Sequence, residues 1–288
     1  MRLSDHTLLI NIVIGLVNIK HWNTAFRDLK YEVVAIEPII PLENSKNSNP
    51  DIILYSQLYK HAIILDCKSK TLKEEQTQKY LKLKETPNKL ITYGYVSNET
   101  DIMCDISFIS FHNLENHEVV KSNSIPIMKV IRNERIIEKI CKHGNFDFVK
   151  LNEIFPIQIN SYIPYFIYPF DIEDMDKFRD HILQKLLVYA YKDRLSFTID
   201  ELLLDIFGEL WSNNIIHNEK KREFKNKARD ILKLLRDTSL KNYLTNARHS
   251  KSKSLWNINI KDKNRSLQSF VEKCNKAQFG MDTTLDDF

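Results

Sequence analysis

Apolar positions along the chain follow two periods, and the periods sort the elements. Leu8, Ile12, Leu16 and Ile19 recur at helical spacing, Ala25, Phe26 and Leu29 follow, and together they predict one helix over 5–29. Val33 to Ile36 reads as a strand ended by Pro38 and Pro41. Asp51 to Tyr55 and Ala62 to Leu65 are short isoleucine-rich runs joined by Ser56 to His61, which predicts two buried strands. Thr71 to Lys84 is polar and helix-favouring and is closed by Pro87 and Asn88. Leu90 to Val96 and Ile106 to Phe111 read as further strands. The order helix, strand, strand, strand, helix, strand predicts an α/β sandwich.

From Phe155 to Pro169 prolines punctuate a run of Ile, Tyr and Phe, read as a packed strap at a domain junction. Beyond it the period is helical. Phe178, Ile182, Leu186 and Tyr189 form one stripe. Ser196 to Thr198 is short and extended, and Ile199 to Trp211 predicts a second helix with Thr198 as N-cap and Glu201 in the first turn. Asn218 to Arg236 predicts a third, with Phe224, Ala228, Ile231, Leu232 and Leu235 on its apolar face. Tyr243-Leu244 and Trp256 to Ile258 then bracket a basic loop, Arg248 to Ser254. Three helices and a basic hairpin follow the winged-helix plan.

Composition narrows the classes. No apolar run approaches the roughly 18 residues of a membrane span. The apolar start lacks a basic leader and carries Asp5 and His6, so it does not read as a signal peptide. Four dispersed cysteines, with no CxxC pair, argue against a structural zinc site and fit a reducing, cytoplasmic setting. Glycine is scarce, 5 in 288 residues, and no glycine-rich phosphate loop occurs. The net charge of +4 hides an uneven distribution: residues 218–265 hold fifteen Lys and Arg against five Asp and Glu. A basic block on an otherwise acidic chain points to a polyanion, here DNA. Lys220, Lys221, Arg222, Lys225 and Arg229 on the third helix, and Arg248, Lys251 and Lys253 on the hairpin, are the expected phosphate contacts.

The chemistry concentrates in Asn49 to Tyr80. Asp51 opens one predicted strand, Asp66 ends the next, and Lys68 follows two residues later on the same face. In a hairpin the first strand's start meets the second's end, so Asp51 falls near Asp66. Two converging carboxylates offer hard oxygen ligands to Mg²⁺, and the lysine can stabilise a charged transition state.

These residues resemble the PD-(D/E)xK nuclease superfamily. Pro50-Asp51 matches its PD element, Asp66-Cys67-Lys68 its D/ExK element, and Gln76 with Tyr80 the QxxxY element of some branches. The resemblance implies a restriction-endonuclease-like mixed sheet flanked by helices, followed here by a mostly α winged-helix domain. It implies phosphodiester hydrolysis with Mg²⁺ or Mn²⁺. Many members carry a helix-one glutamate as a further ligand. The first predicted helix has no Glu, and Glu37 is the expected substitute. Cys67, between the two site residues, is expected to face the core.

The expected layout is a nuclease-like domain at 1–155, a junction at 156–176, a basic winged-helix-like domain at 177–265 and a tail at 266–288. The tail's end, Asp282 to Phe288, is similar to clamp-binding and single-strand-binding-protein peptides but reads first as a disordered terminus. The expected activity is a Mg²⁺-dependent DNA endonuclease, in restriction or phage defence or as the endonuclease subunit of a heteromeric transposase. A homodimer, a second subunit, and a non-catalytic DNA-binding scaffold with a degenerate nuclease fold remain open.

Overall fold

The computed structural model describes residues 4–19, 22–42, 47–68, 71–96, 101–133, 136–162, 175–213, 215–249, 253–261 and 265–279. The chain forms two compact units, Met1–Asp171 with Asn214–His217, and Ile172–Asn213 with Asn218–Phe288.

The first unit opens with α1 (Asp5–Asn18), capped by the Ser4 side chain, and α2 (Ala25–Asp28). The single helix expected over 5–29 is therefore two. Ile19 turns extended, and the chain folds back until the Trp22 ring lies on Gly15, where a Cβ would meet it at 2.7 Å. Strands β1 (Tyr31–Ile36), β2 (Ile40–Pro41), β3 (Asn47–Ser48), β4 (Ile52–Ser56) and β5 (His61–Lys68) follow, then α3 (Glu74–Glu85) and α4 (Asn88–Thr92). The strand expected over 90–96 is helix and turn instead. Pro87 starts a new helix there, and Leu90 is buried as a helical residue. The unit continues through β6 (Met103–Ser110), α5 (Glu118–Ser122), β7 (Ile127–Arg132), β8 (Ile136–His143), α6 (Val149–Glu153) and β9 (Ile157–Tyr162).

Seven of these strands form one mixed sheet in the order β1-β4-β5-β6-β7-β8-β9, with β5-β6 and β6-β7 parallel and the other pairs antiparallel. β4 is buried along its length, and β5 at every position before Lys68. Ile53, Tyr55, Ala62 and Ile64 share a core with Tyr80 and Leu83 of α3. The pleat turns Ile63 and Leu65 the other way, towards the side where α1 packs on β5. α1 is buried from Thr7 to Val17, so its apolar stretch is core. Part of the expected strap is β9, the sheet's edge strand, whose buried Ile157 and Ile159 alternate with exposed residues.

The second unit contains α7 (Met175–Tyr191), β10 (Ser196–Thr198), α8 (Ile199–Phe207), α9 (Glu209–Ser212), α10 (Asn218–Asp237), β11 (Leu244–His249), β12 (Lys253–Ile258) and α11 (Arg265–Phe279). Its sheet order is β10-β12-β11, all antiparallel. Thr198 and Glu201 form a reciprocal capping box on α8. The helix expected over 199–211 breaks at Gly208, whose φ of 57° suits glycine. Phe178, Phe207 and Phe224 bring α7, α8 and α10 together ring on ring. Helix α11 occupies the start of the expected tail, because Phe270 and Cys274, one turn apart, are fully buried. Residues 282–288 lie outside the described residues. Among the described residues no helix is long and apolar enough to cross a membrane.

Candidate active site at the end of β4 and β5

The site follows from the register of one hairpin. Ile52 pairs with Leu65, so one further step sets Asp51 opposite Asp66. Directly opposed residues on one face of an antiparallel pair lie about 5 Å apart at Cβ, and like charges there repel. Both carboxyl groups are nonetheless buried, Asp51 at 7% exposure and Asp66 at 2%.

The two acids divide their load unequally. Burial raises the proton affinity of each. For Asp51 this is outweighed by donors: His6 Nε2 stands 3.1 Å from Oδ2, and the Cys67 backbone N–H donates to the same oxygen at 2.6 Å, holding Asp51 below its ordinary value. Asp66 is pushed up to about 8 by burial and then by the Asp51 charge, against the pull of Lys68. Lys68 Nζ lies 2.6 Å from Asp66 Oδ2 as an ion pair, and that oxygen accepts no well-aligned hydrogen bond. Two buried, opposed carboxyls favour a state in which one keeps a proton, and Asp66, the raised one, is that carboxyl.

Helix α3 secures the lysine. Lys68 donates to Gln76 Oε1 at 2.7 Å, Gln76 Nε2 donates to the Tyr80 hydroxyl at 2.6 Å, and Tyr80 donates to the Asn49 carbonyl at 3.1 Å. Gln76 and Tyr80 are one helical turn apart, so both face the strand end. Burial, then the charges of Asp66 and Asp51, raise the Tyr80 phenol, which stays protonated as a donor. Cys67 is buried, and burial holds its thiol well above the ordinary value, removing it as a nucleophile.

Asp51, Asp66, Lys68, Gln76 and Tyr80 therefore converge. Glu37 touches this region through its backbone: at a φ of 50° its N–H donates to the Asp51 carbonyl at 2.8 Å. Among the described residues no group of three or more His, Cys, Asp or Glu side chains is arranged to hold a metal ion. The residue that sequence reasoning passed over is His6, on α1. Its signal was a polar side chain in the first turn of a helix whose next eleven residues are all core.

Residues 5–168, more than half of the chain, match the MJECL32 domain. The chain belongs to the MJECL32 domain family. It is 38% identical over 170 residues to a Methanocaldococcus jannaschii protein named "Uncharacterized protein MJECL32". That stretch is 54% of this chain and 38% of the relative, so the chain spans about two fifths of the relative's length. No solved structure matches. The MJECL32 match contains the whole carboxylate–lysine cluster and all seven strands of its sheet.

In the second unit the expected DNA-contacting residues are unequally placed. Arg222 is exposed on α10. Lys221 donates to the Trp211 carbonyl at 2.6 Å and lies over the Trp211 ring, and burial lowers its proton affinity. Lys225 pairs with Asp200 at 2.7 Å, Lys220 with Glu223 at 3.0 Å, and Arg229 donates to Asn226. In the β11–β12 hairpin Arg248 pairs with Ser254 and Lys253 with His249 along the backbone, and Lys251 lies outside the described residues.

Proposed function

We propose that this MJECL32 protein is a metal-dependent endonuclease of the PD-(D/E)xK type, with its second unit serving as a winged-helix DNA-binding module. The observation that carries the reading is the pair of opposed, buried carboxylates with Lys68 beside one of them.

The donor set fits a hard divalent cation. A buried carboxyl pushed up to about 8 by a neighbouring carboxylate is relieved either by a proton or by a cation. Mg²⁺ commonly takes only one or two protein carboxylates and completes its octahedron with water and phosphate oxygens, so a closed cage is not required. Asp51 and Asp66 would hold it, and such a cation would supply polarisation of a phosphodiester and a more acidic bound water. Lys68 is placed to neutralise developing charge on the phosphate. Its position is fixed by Gln76, and Gln76 by Tyr80, so little reorganisation is needed when charge develops.

For the second unit, the support is the connectivity helix, strand, helix, short helix, helix, hairpin, with β10 pairing on β12. The fifteen basic residues of 218–265 supply sequence-independent affinity for phosphates.

The test is cleavage of duplex and single-stranded DNA by the full chain with Mg²⁺, Mn²⁺ or EDTA. Metal-dependent nicking that Asp66→Asn eliminates supports the reading. Activity that persists in EDTA, or in Asp66→Asn, refutes it. DNA binding without cleavage would favour the non-catalytic scaffold.

A further inference from the structure

We propose that His6 is a positioning residue for Asp51, an imidazole from α1 that holds this carboxylate in place against the repulsion of Asp66. The inference rests on the metal-dependent reading above and extends it to a side chain outside the motif.

Three observations converge on it. First, Asp51 Oδ2 takes two donors from two different elements: the Cys67 N–H of β5 at 2.6 Å and His6 Nε2 at 3.1 Å. Two donors on one oxygen fix the carboxylate plane, whereas one would leave it free to swing. Second, the force to be resisted is local, because Asp51 and Asp66 face each other while buried. Third, the start of α1 is itself anchored. Ser4 caps it by accepting from the Thr7 N–H. Asp5 pairs with Arg132 of β7 at 2.8 Å, and the Arg132 guanidinium lies over the Phe111 ring. His6, directly after Asp5 and inside the Ser4–Thr7 cap, therefore projects from a fixed point. Its side chain keeps 24% exposure, so it sits at the solvent side of an otherwise buried pair. Hydrogen-bonded partners of metal-ligating carboxylates act in this way, and losing one costs about 10–100-fold in metal affinity or activity.

Two substitutions of similar size separate the hydrogen bond from packing. Gln places an amide N–H the same number of bonds from Cβ as His Nε2, and Leu fills the space without a donor. Mn²⁺ is titrated calorimetrically into the full chain without DNA. His6→Leu should bind Mn²⁺ about 10–100-fold more weakly than wild type, and His6→Gln should recover most of the loss. Wild-type affinity in His6→Leu overturns the positioning role while leaving the nuclease reading standing. Equal loss in His6→Gln and His6→Leu overturns it in favour of the imidazole as a direct ligand. A wild-type chain that binds no Mn²⁺ removes the metal-dependent reading, and the proposal with it. The ring tautomer, read by nitrogen NMR on the wild type, decides even if His6→Leu does not fold: a proton on Nε2 supports donation to Asp51, and a bare Nε2 overturns it.

Discussion

At the start of β5, His61 sits between Tyr31 and Asp105; at its end, Asp66 sits between Asp51 and Lys68. Both clusters are buried and both centre on a carboxylate, yet their electrostatics differ. Asp105 receives His61 Nε2 at 3.2 Å, the backbone N–H groups of Asp147 and Phe148, and the Lys84 ammonium at 3.5 Å. Burial raises this acid, but these donors outweigh burial and hold it below its ordinary value. Tyr31 completes the chain, 2.6 Å from His61 Nδ1, and the imidazole stacks on Phe148. At the other end two carboxylates oppose each other, and burial and then the Asp51 charge push Asp66 up to about 8. A satisfied buried network ties elements together, here β1, β5, β6, α3 and the loop before α6. A like-charge pair kept buried costs stability, and such local conflicts are expected where a site is built for a ligand.

The largest expected effect breaks this contrast at the β5 end. Lys68→Ala and Asp66→Asn should lower the cleavage rate by about a hundredfold or more, the scale of removing one preorganised electrostatic group. Asp66→Asn should not reduce thermal stability, since Asn replaces a buried carboxyl that keeps its proton beside Asp51. Loss of folding in Asp66→Asn, seen as a lowered unfolding midpoint, would make this end structural like the other.

Asp105→Ala should do the reverse. Stripping the acceptor from a buried network leaves His61 Nε2 and two backbone N–H groups unpaired, at a cost of about 3 kcal/mol. The pH dependence has a definite sign. The folded Asp105 value is depressed, so its contribution is present above the unfolded value near 3.8 and fades as pH falls through the folded one. The gap between wild type and Asp105→Ala, read from denaturant midpoints, should therefore be full at pH 6 and shrink on acidification.

How much of this was legible in the sequence depended on whether the information was local. Asp51, Asp66 and Lys68 could be read together because antiparallel pairing of two adjacent strands fixes which ends meet. Gln76 and Tyr80 were singled out by the resemblance to the QxxxY element, and helical spacing said only that they share a face. His6 was not, since its approach to Asp51 depends on how α1 packs, 45 residues away in sequence. Asp105 and His61, 44 residues apart, meet only because β5 and β6 pair in parallel across two intervening helices, α3 and α4. The strand expected over 90–96 failed for a related reason: Leu90-Ile91 is apolar in either state, and Pro87 decided for helix. Trp22, folding back onto Gly15, ended α1 where periodicity alone would have continued it.

A smaller effect sharpens the contrast through protons. Cation binding to Asp51 and Asp66 requires the shared proton to leave, and Asp66 releases it near pH 8. Apparent Mn²⁺ affinity of the full chain should therefore rise with pH, by about tenfold per unit below that value, and level off above it. In calorimetry, buffers of different ionisation enthalpy should reveal about one proton released per cation at pH 6.5. No proton release there would mean that Asp66 is already ionised, and the two ends of β5 would then be electrically alike.

The smallest effect lies in the second unit, where the same distinction between committed and available charge applies. Each phosphate neutralised by Lys or Arg contributes about −0.9 to the slope of log K against log salt. Six such contacts would give a slope of roughly −5 for the full chain on duplex DNA. The basic residues of α10 should not share this equally. Lys221 is bound to the Trp211 carbonyl and ring, and Lys225 is paired with Asp200, so each must exchange an existing partner for phosphate. Arg222 is exposed. Its replacement by Ala should flatten the slope by about one unit and weaken binding to all sequences alike. Lys221→Ala should change the slope by less and should instead loosen the packing of α10 on Trp211, lowering the unfolding midpoint. The measurement is a salt titration of binding by wild type and both variants in EDTA, so that cleavage does not intervene. Equal slopes for wild type and Arg222→Ala would place the polyanion elsewhere on the molecule.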